Sequence, residues 1–287
     1  MIFPRCSGIL LHDTSLPAAH GIGDLGPAAH DFVDFLAESG QTVWQVLPLS
    51  PTGYDDSPYQ CFSAFAGNPL LIDLLDLQEQ GWLGPQDLVV APQLATDFVD
   101  YGKAIAFKQA LLRKAAQDFF INANATDSKA FKTFCKENAE WLDDYALFMA
   151  GKDLHNGVVW TEWDAGLRRR DPGALPQWRQ KLSPEIEVHK FAQFEFFRQW
   201  ENLKNRCRRR GIRTMAISLL TLPMTAPTCG LIPNCFVWTS TVNPMWWQGF
   251  LLITSARPAS SGELPSIDGT CWQAPAIDGG SIVFGHR

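Results

Sequence analysis

The apolar run Ser7-Gly8-Ile9-Leu10-Leu11-His12 predicts a short buried strand, and the polar, Pro-containing residues 13–17 after it predict a loop. A helix is expected from Pro27, a favoured first helical position, with Phe32, Phe35 and Leu36 on one face and a stop before Gly40. Val43-Trp44-Gln45-Val46-Leu47-Pro48-Leu49 then predicts a second strand. Strand, loop, helix and strand in that order form the repeat unit of parallel α/β folds, because parallel strands need a crossover long enough to hold a helix. The pattern implies a barrel or an open sheet.

Polar and apolar positions alternate at helical spacing over residues 101–120 and again over 137–152, which predicts an inserted helical region. The clearest helix is 190–210, where Phe191, Phe194, Phe197, Trp200, Leu203 and Cys207 recur every three or four residues as a core-facing stripe. Arg206, Arg208, Arg209 and Arg210 fall in its last turn. Cations there complement the helix dipole, which removes the need for a nucleic-acid patch. Beyond this helix the pattern changes. Of 24 Lys and Arg and 30 Asp and Glu, only Arg257, Glu263, Asp268, Asp278 and Arg287 lie after Met215. The same stretch holds seven of the 19 Pro and keeps no period of 2 or 3.6, so no secondary structure is predicted for it.

A chain of 287 residues can bury a sizeable core as one large domain or two ordinary ones. With 46% hydrophobic and 19% charged residues it is globular rather than disordered or fibrous. A net charge of -6 gives no electrostatic motive for binding nucleic acid or an anionic membrane, and a neutral substrate fits better. Eleven Trp are compatible with stacking on sugar rings, although core packing uses the same residues. The seven Cys are odd in number and scattered, without Cys-x-x-Cys or metal-ligand spacing, as in a reducing compartment. Residues 1–12 carry no leader-like apolar run, and no later stretch has bilayer-spanning length, so a cytoplasmic location is expected.

Two loops carry candidate chemistry. Gly21-Ile-Gly23-Asp-Leu-Gly26 matches the G-x-G-x-x-G dinucleotide fingerprint and precedes a helix. The fingerprint should follow its strand directly, yet residues 13–20 intervene, and the second strand lacks the ribose-binding acid at its end. Glycines that shape a loop and open a helix are the simpler account. More specific is the stretch after the second strand, which contains Tyr54, Asp55, Asp56, Ser57, Tyr59 and Gln60 and continues to Pro69. It lies where parallel α/β barrels place their binding loops. Its rings and hydroxyl partners suit a polyhydroxylated ligand, and a plain Pro- and Gly-rich surface loop is the alternative.

Ser7-Gly-Ile-Leu-Leu-His12, Thr14-Ser-Leu-Pro17, Gly21-Ile-Gly-Asp-Leu-Gly26, Trp44-Gln-Val-Leu-Pro-Leu49 and the stretch from Tyr54 to Pro69 together resemble the amylomaltases, the 4-alpha-glucanotransferases of maltodextrin metabolism. Trp160-Thr-Glu-Trp163 and residues 191–203 continue the likeness, which covers roughly residues 5–213. The resemblance implies a TIM (β/α)8 barrel with helical insertions and a retaining mechanism, in which one carboxylate acts as nucleophile and another as acid/base. It implies maltodextrin, amylose or another α-1,4-glucan as substrate and no cofactor or metal. Tyr54, Ser57 and Tyr59 match residues that contact glucan. This sequence departs from the family at Asp13 and Asp55, where Pro and Gly are expected, and at Gly151, where Leu is expected.

After Gly211-Ile212 the family continues with Gly-Asp-Ile-Pro and later Val-Val-Ala-Gly-Val-Pro-Pro-Asp-Tyr, whereas this chain has Met215-Ala-Ile-Ser218. The genetic code links the two. Read one base earlier, the codons of Met245-Trp246-Trp247-Gln248 are forced to spell Val-Val-Ala, and one G added after the Met215 codon gives Met-Gly and permits Asp-Ile. Residues 1–213 are thus expected to be the N-terminal part of the barrel, and 214–287 an irregular, frameshifted tail. The family's catalytic carboxylates would then be absent. Asp55, Asp56 and Asp73 match no catalytic position, and Glu263, Asp268 and Asp278 lie in the tail. Three readings follow: a truncated, inactive glucanotransferase, a noncatalytic glucan-binding fragment, and a dinucleotide-dependent oxidoreductase.

Overall fold

The computed structural model describes residues 5–53, 56–59, 61–89, 94 and 97–216. The first helix, α1 (Pro27–Glu38), begins with Gly26 as N-cap and Pro27 at the first helical position, and gives way at Ser39 to Gly40, whose φ of 70° closes the turn. Its buried face is Ala29, Val33 and Leu36. Phe35, expected on that face, is 53% exposed, because 3.6 residues per turn carry it well away from the line of Ala29, Val33 and Leu36.

Three strands pair in parallel in the order β1 (Gly8–Leu10), β2 (Val43–Val46) and β3 (Arg213–Ala216). Trp44 of the central strand stands opposite Ile9 and Thr214, and its indole N–H donates to the Leu11 carbonyl at 2.8 Å. Strand β1 corrects the expectation of a buried strand. Among the described residues β1 pairs on one side only, and Leu10 is 55% exposed, while Val43, Trp44 and Val46 in the middle are buried. Strand β3 crosses the boundary drawn at residues 213 and 214, since Thr214, Met215 and Ala216 are in register with Trp44, Gln45 and Val46. The rest of the proposed tail lies outside the described residues.

Helices fill the span between β2 and β3. They are α2 (Leu74–Glu79), α3 (Pro85–Val89), α4 (Tyr101–Asn122), α5 (Ala125–Glu137), α6 (Ala139–Leu154), α7 (Ala165–Arg168), α8 (Leu175–Lys181) and α9 (Ser183–Arg209). Asp100 starts α4 by accepting from the Lys103 N–H, and Asn124 starts α5 by accepting from Thr126 and Asp127. The 27-residue α9 is the spine that α1, α4, α5, α6 and α8 pack against. Phe191, Phe196, Trp200, Leu203 and Cys207 of α9 share one apolar cluster with Trp44, Leu71, Leu77, Trp82 and Phe119. Phe119 meets Trp82 edge-on at 5.1 Å.

The arginines at the end of α9 are spent within the fold. Asp34 of α1 accepts from Arg206 and Arg210, and these partners, Arg206 above all, hold its carboxyl below the usual carboxylate range. Arg208 reaches Glu201 and Asn205. Gly211, with a φ of 72°, ends the helix, and the Ile212 N–H returns to the Cys207 carbonyl at 2.9 Å before β3 begins.

Candidate functional site

The loop leaving β2 closes on itself. Thr52 and Cys61 form an antiparallel bridge, and the Phe62 N–H donates to the Pro51 carbonyl at 3.2 Å. Between them Asp56 adopts a φ of 53°, a left-handed conformation that Asp tolerates better than most residues. Ser57 and Tyr59 are brought together there, for Ser57 Oγ accepts from the Tyr59 N–H at 3.3 Å. Tyr59 is 44% exposed, so its ring is open to a ligand. Tyr54, Asp55 and Gln60 lie outside the described residues. The returning limb is anchored: Cys61 is buried, Ser63 Oγ accepts from the Phe65 and Ala66 N–H groups, and Phe65 stacks on Trp141 at 6.4 Å. Lys152 Nζ sits 4.9 Å from the centre of the Phe62 ring.

A buried polar layer that the hydrophobic pattern gave no sign of joins α4 to residues 24–26 and 70–73. Lys108 of α4 is completely buried, and its Nζ donates to Asp24 Oδ2 at 3.1 Å and to the carbonyls of Leu70 and Ile72 at 2.7 and 2.9 Å. Asp24 Oδ1 accepts from the Gly26 N–H, so one carboxylate joins α4 to the entry of α1. Asp73 caps α2 by accepting from Leu75 and Asp76, and burial, helped by the charge of Asp24, pushes its carboxyl up to about 6. A capping role accounts for the placement of this acid.

The glycines of residues 21–26 serve the same layer. A Cβ on Gly23 would stand 2.0 Å from the Asp13 carbonyl oxygen, and one on Gly26 would stand 2.7 Å from the Asp73 carboxyl carbon. They allow close packing of loop on loop. Asp13 itself, one of the departures from the family, is fully buried with neither carboxylate oxygen hydrogen-bonded. Burial, with the charge of Asp24 adding to it, pushes its carboxyl up to about 7. Burial also drives the neighbouring His12 down to about 4.

The other departure in the described region, Gly151 on α6, has a steric reason. A Cβ there would lie 2.8 Å from Cζ3 of Trp163, whose indole fills the space, donates to the Val158 carbonyl and stacks on His155 at 5.1 Å. Among the described residues, no group of three or more His, Cys, Asp or Glu is placed to hold a metal ion. Also among them, Cys6, Cys61, Cys135 and Cys207 are free thiols, and no helix is long and apolar enough to cross a membrane.

These features define an α/β protein with a polar, aromatic loop at the C-terminal end of a parallel strand. The family model described as 4-alpha-glucanotransferase matches residues 11–222, and the chain belongs to that family. A 4-alpha-glucanotransferase of Synechocystis sp. is 49% identical over 212 residues, 74% of this chain and 42% of the relative. One from Clostridium butyricum is 34% identical over 274 residues, 95% of this chain and 53% of the relative, so that its alignment runs into the region after Ala216. The amylomaltase of Streptococcus agalactiae in complex with acarbose is similar in structure, with a TM-score of 0.76 at 36% identity, over 80% of this chain and 46% of that one. The chain thus spans about half the length of these relatives or less.

Proposed function

We propose that this chain derives from an enzyme that transfers α-1,4-glucan segments between maltodextrins by a retaining mechanism, and that Tyr54, Ser57 and Tyr59 contact the glucan. The family match over residues 11–222 carries the reading. The three parallel strands support its extension to the opening of a (β/α)8 barrel, in which loops at the C-terminal strand ends bind substrate. The acarbose complex of the similar amylomaltase supports an oligosaccharide as ligand. The free thiols agree with a reducing, cytoplasmic setting.

We further propose that the sequence leaves the family's reading frame near Met215, and that the chain as it stands binds maltodextrin or amylose without transferring it. The forced Val-Val-Ala reading of residues 245–248 supports this, while the Clostridium butyricum alignment, which continues past Ala216, favours a tail in frame. The gene decides between them. One G inserted beside the Met215 codon should open a frame that reads Gly-Asp-Ile-Pro and runs well beyond the codon of Arg287, and early stop codons there would refute the frame change. The purified 287-residue chain mixed with maltotriose should release no glucose and form no longer maltodextrins, since transfer needs both a nucleophile and an acid. Glucose release proportional to chain concentration and abolished by Tyr59→Ala would show a working enzyme.

A further inference from the structure

Two buried glutamines of α9 grip the backbone of the segment that leaves the Ser57 and Tyr59 loop. Gln193, wholly buried, accepts through Oε1 from the Gly67 N–H at 2.8 Å and donates through Nε2 to the Gly67 carbonyl at 2.9 Å. Gln199, also buried, accepts from the Asp73 N–H at 2.8 Å and donates to the Asp73 carbonyl at 3.1 Å, with Asp76 Oδ2 as a second acceptor at 2.9 Å. A carboxamide offers a donor and an acceptor side by side at neutral pH, where a carboxylate only accepts, and because each pairs with both polar groups of one residue, its orientation is fixed. Gln193 and Gln199 are six positions apart, as are Gly67 and Asp73, and both pairs are separated by 126 residues. Six helical residues rise about 9 Å, so the two grips set a register between residues 67–73 and the helix.

The rest of the segment leaves no other register open. A Cβ on Gly67 would come within 1.9 Å of the Phe196 ring, so only glycine lets the chain approach α9 between the grips. On its other side Lys108 holds the Leu70 and Ile72 carbonyls, and the Asn68 N–H donates to the Leu49 carbonyl at 2.7 Å. Among the described residues, Gly67 is the first downstream of the loop whose backbone a buried side chain of α9 grips.

We propose that Gln193 and Gln199 are positioning residues, which lock residues 67–73 to α9 in one register and so hold the Ser57 and Tyr59 loop where it meets a polyhydroxylated ligand. The proposal rests on the glucan reading of that loop. The two are separated by measuring backbone protection without ligand and binding with maltoheptaose.

Amide hydrogen exchange on the full chain is expected to rise about tenfold at residues 61–67 in Gln193→Leu and at residues 73–76 in Gln199→Leu, each leaving the other set near its wild-type rate. Gln193→Glu gives the discriminating readout. Its carboxylate faces the Gly67 carbonyl and loosens the limb at neutral pH. Protonated, it again presents one acceptor and one donor, so protection relative to wild type returns as the pH falls through the glutamate's raised pKa. Maltoheptaose should bind Gln193→Glu about tenfold more weakly than wild type at pH 7.5 and equally at the pH where protection is restored. Exchange that rises evenly over the chain, or no recovery of Gln193→Glu on acidification, overturns the register lock. Equal maltoheptaose affinity of wild type and Gln193→Glu at pH 7.5 overturns the positioning role. A wild-type chain that does not bind maltoheptaose overturns the glucan reading and the positioning role with it, while exchange still decides the register lock.

Discussion

Replacing Lys108 with Met removes a buried ammonium with little change of shape, and strands three acceptors: Asp24 Oδ2 and the Leu70 and Ile72 carbonyls. Two effects compete. Losing the charge removes the cost of burying an ammonium, and the Met side chain packs adequately in the same channel. Against that, Asp24 loses its ionic partner in a site where both it and Lys108 are shielded from water, and removing one partner of a buried pair costs about 3–5 kcal/mol. Each unpaired carbonyl adds a penalty on the order of 1–3 kcal/mol when no water can reach it, so the stranded acceptors win. Lys108→Met is expected to lose about 3–5 kcal/mol in urea unfolding of the full chain, followed by tryptophan fluorescence and circular dichroism together. Asp24→Asn in the Lys108→Met background should return on the order of 1–3 kcal/mol, because the uncompensated charge is then gone. A loss below about 1 kcal/mol in the single variant, with no coupling to Asp24, would show that the ammonium is not the tie between α4 and the loops.

Gly151→Leu, the residue expected from the family, should lower stability by up to about 2 kcal/mol, since overpacking against Trp163 at about 1–3 kcal/mol outweighs the gain of roughly 1 kcal/mol from removing a helical glycine; a higher melting temperature would refute the clash. Asp13, raised to about 7, favours the protonated fold, so wild-type stability should fall as pH rises from about 4 to 7, by at most about 4 kcal/mol, and Asp13→Asn should lack that fall. His12, lowered to about 4, acts in the opposite sense between its ordinary value and 4, so the difference between Asp13→Asn and wild type is the quantity to measure, and a difference independent of pH would exclude a buried neutral Asp13. Tyr59→Ala should weaken maltoheptaose binding about tenfold in calorimetry while unfolding shifts by no more than about 0.5 kcal/mol, because the ring is exposed; an unchanged affinity would remove Tyr59 from the ligand site.

What the sequence makes legible follows from what its periodicities encode. Pro27 and Gly40 bracket α1 because one presets a helical φ and the other accepts a left-handed one, and both signals are local. The stripe from Phe191 to Cys207 announces α9, yet it begins earlier, at Ser183, because its first turns are polar and lean on α8. Helix α5 escapes notice for a similar reason. Phe131, Phe134 and Cys135 are its sparse contacts with the core, and the rest of its surface is solvated. Residue type also motivates the ligand proposed for the loop, since Ser57 and Tyr59 suit a sugar whatever the register.

The supporting layer is hidden for a different physical reason. Lys108, Gln193, Glu195 and Gln199 are polar letters at positions that a hydrophobic pattern assigns to solvent, yet the first three are entirely buried and the fourth nearly so. Burial of such groups is tolerable only when a specific partner waits at hydrogen-bond distance, and the partners of Lys108, Gln193 and Gln199 lie 36 to 126 residues away in the chain. Glu195 shows the limit of the arrangement. Oε2 accepts from Arg198 at 2.8 Å, Oε1 has no partner, and burial raises its carboxyl although Arg198 opposes the shift. A carboxyl left half satisfied in the core is a cost that packing of Phe191, Phe196 and Trp200 on the same helix offsets. The hydrophobic stripe therefore decides that α9 forms and which way it faces, while the buried polar positions decide where along it residues 67–73 come to rest. Because each polar grip fits one backbone position, shifting that segment by a single residue would leave both glutamines unpaired at once, and this is what gives the loop above it a single seat.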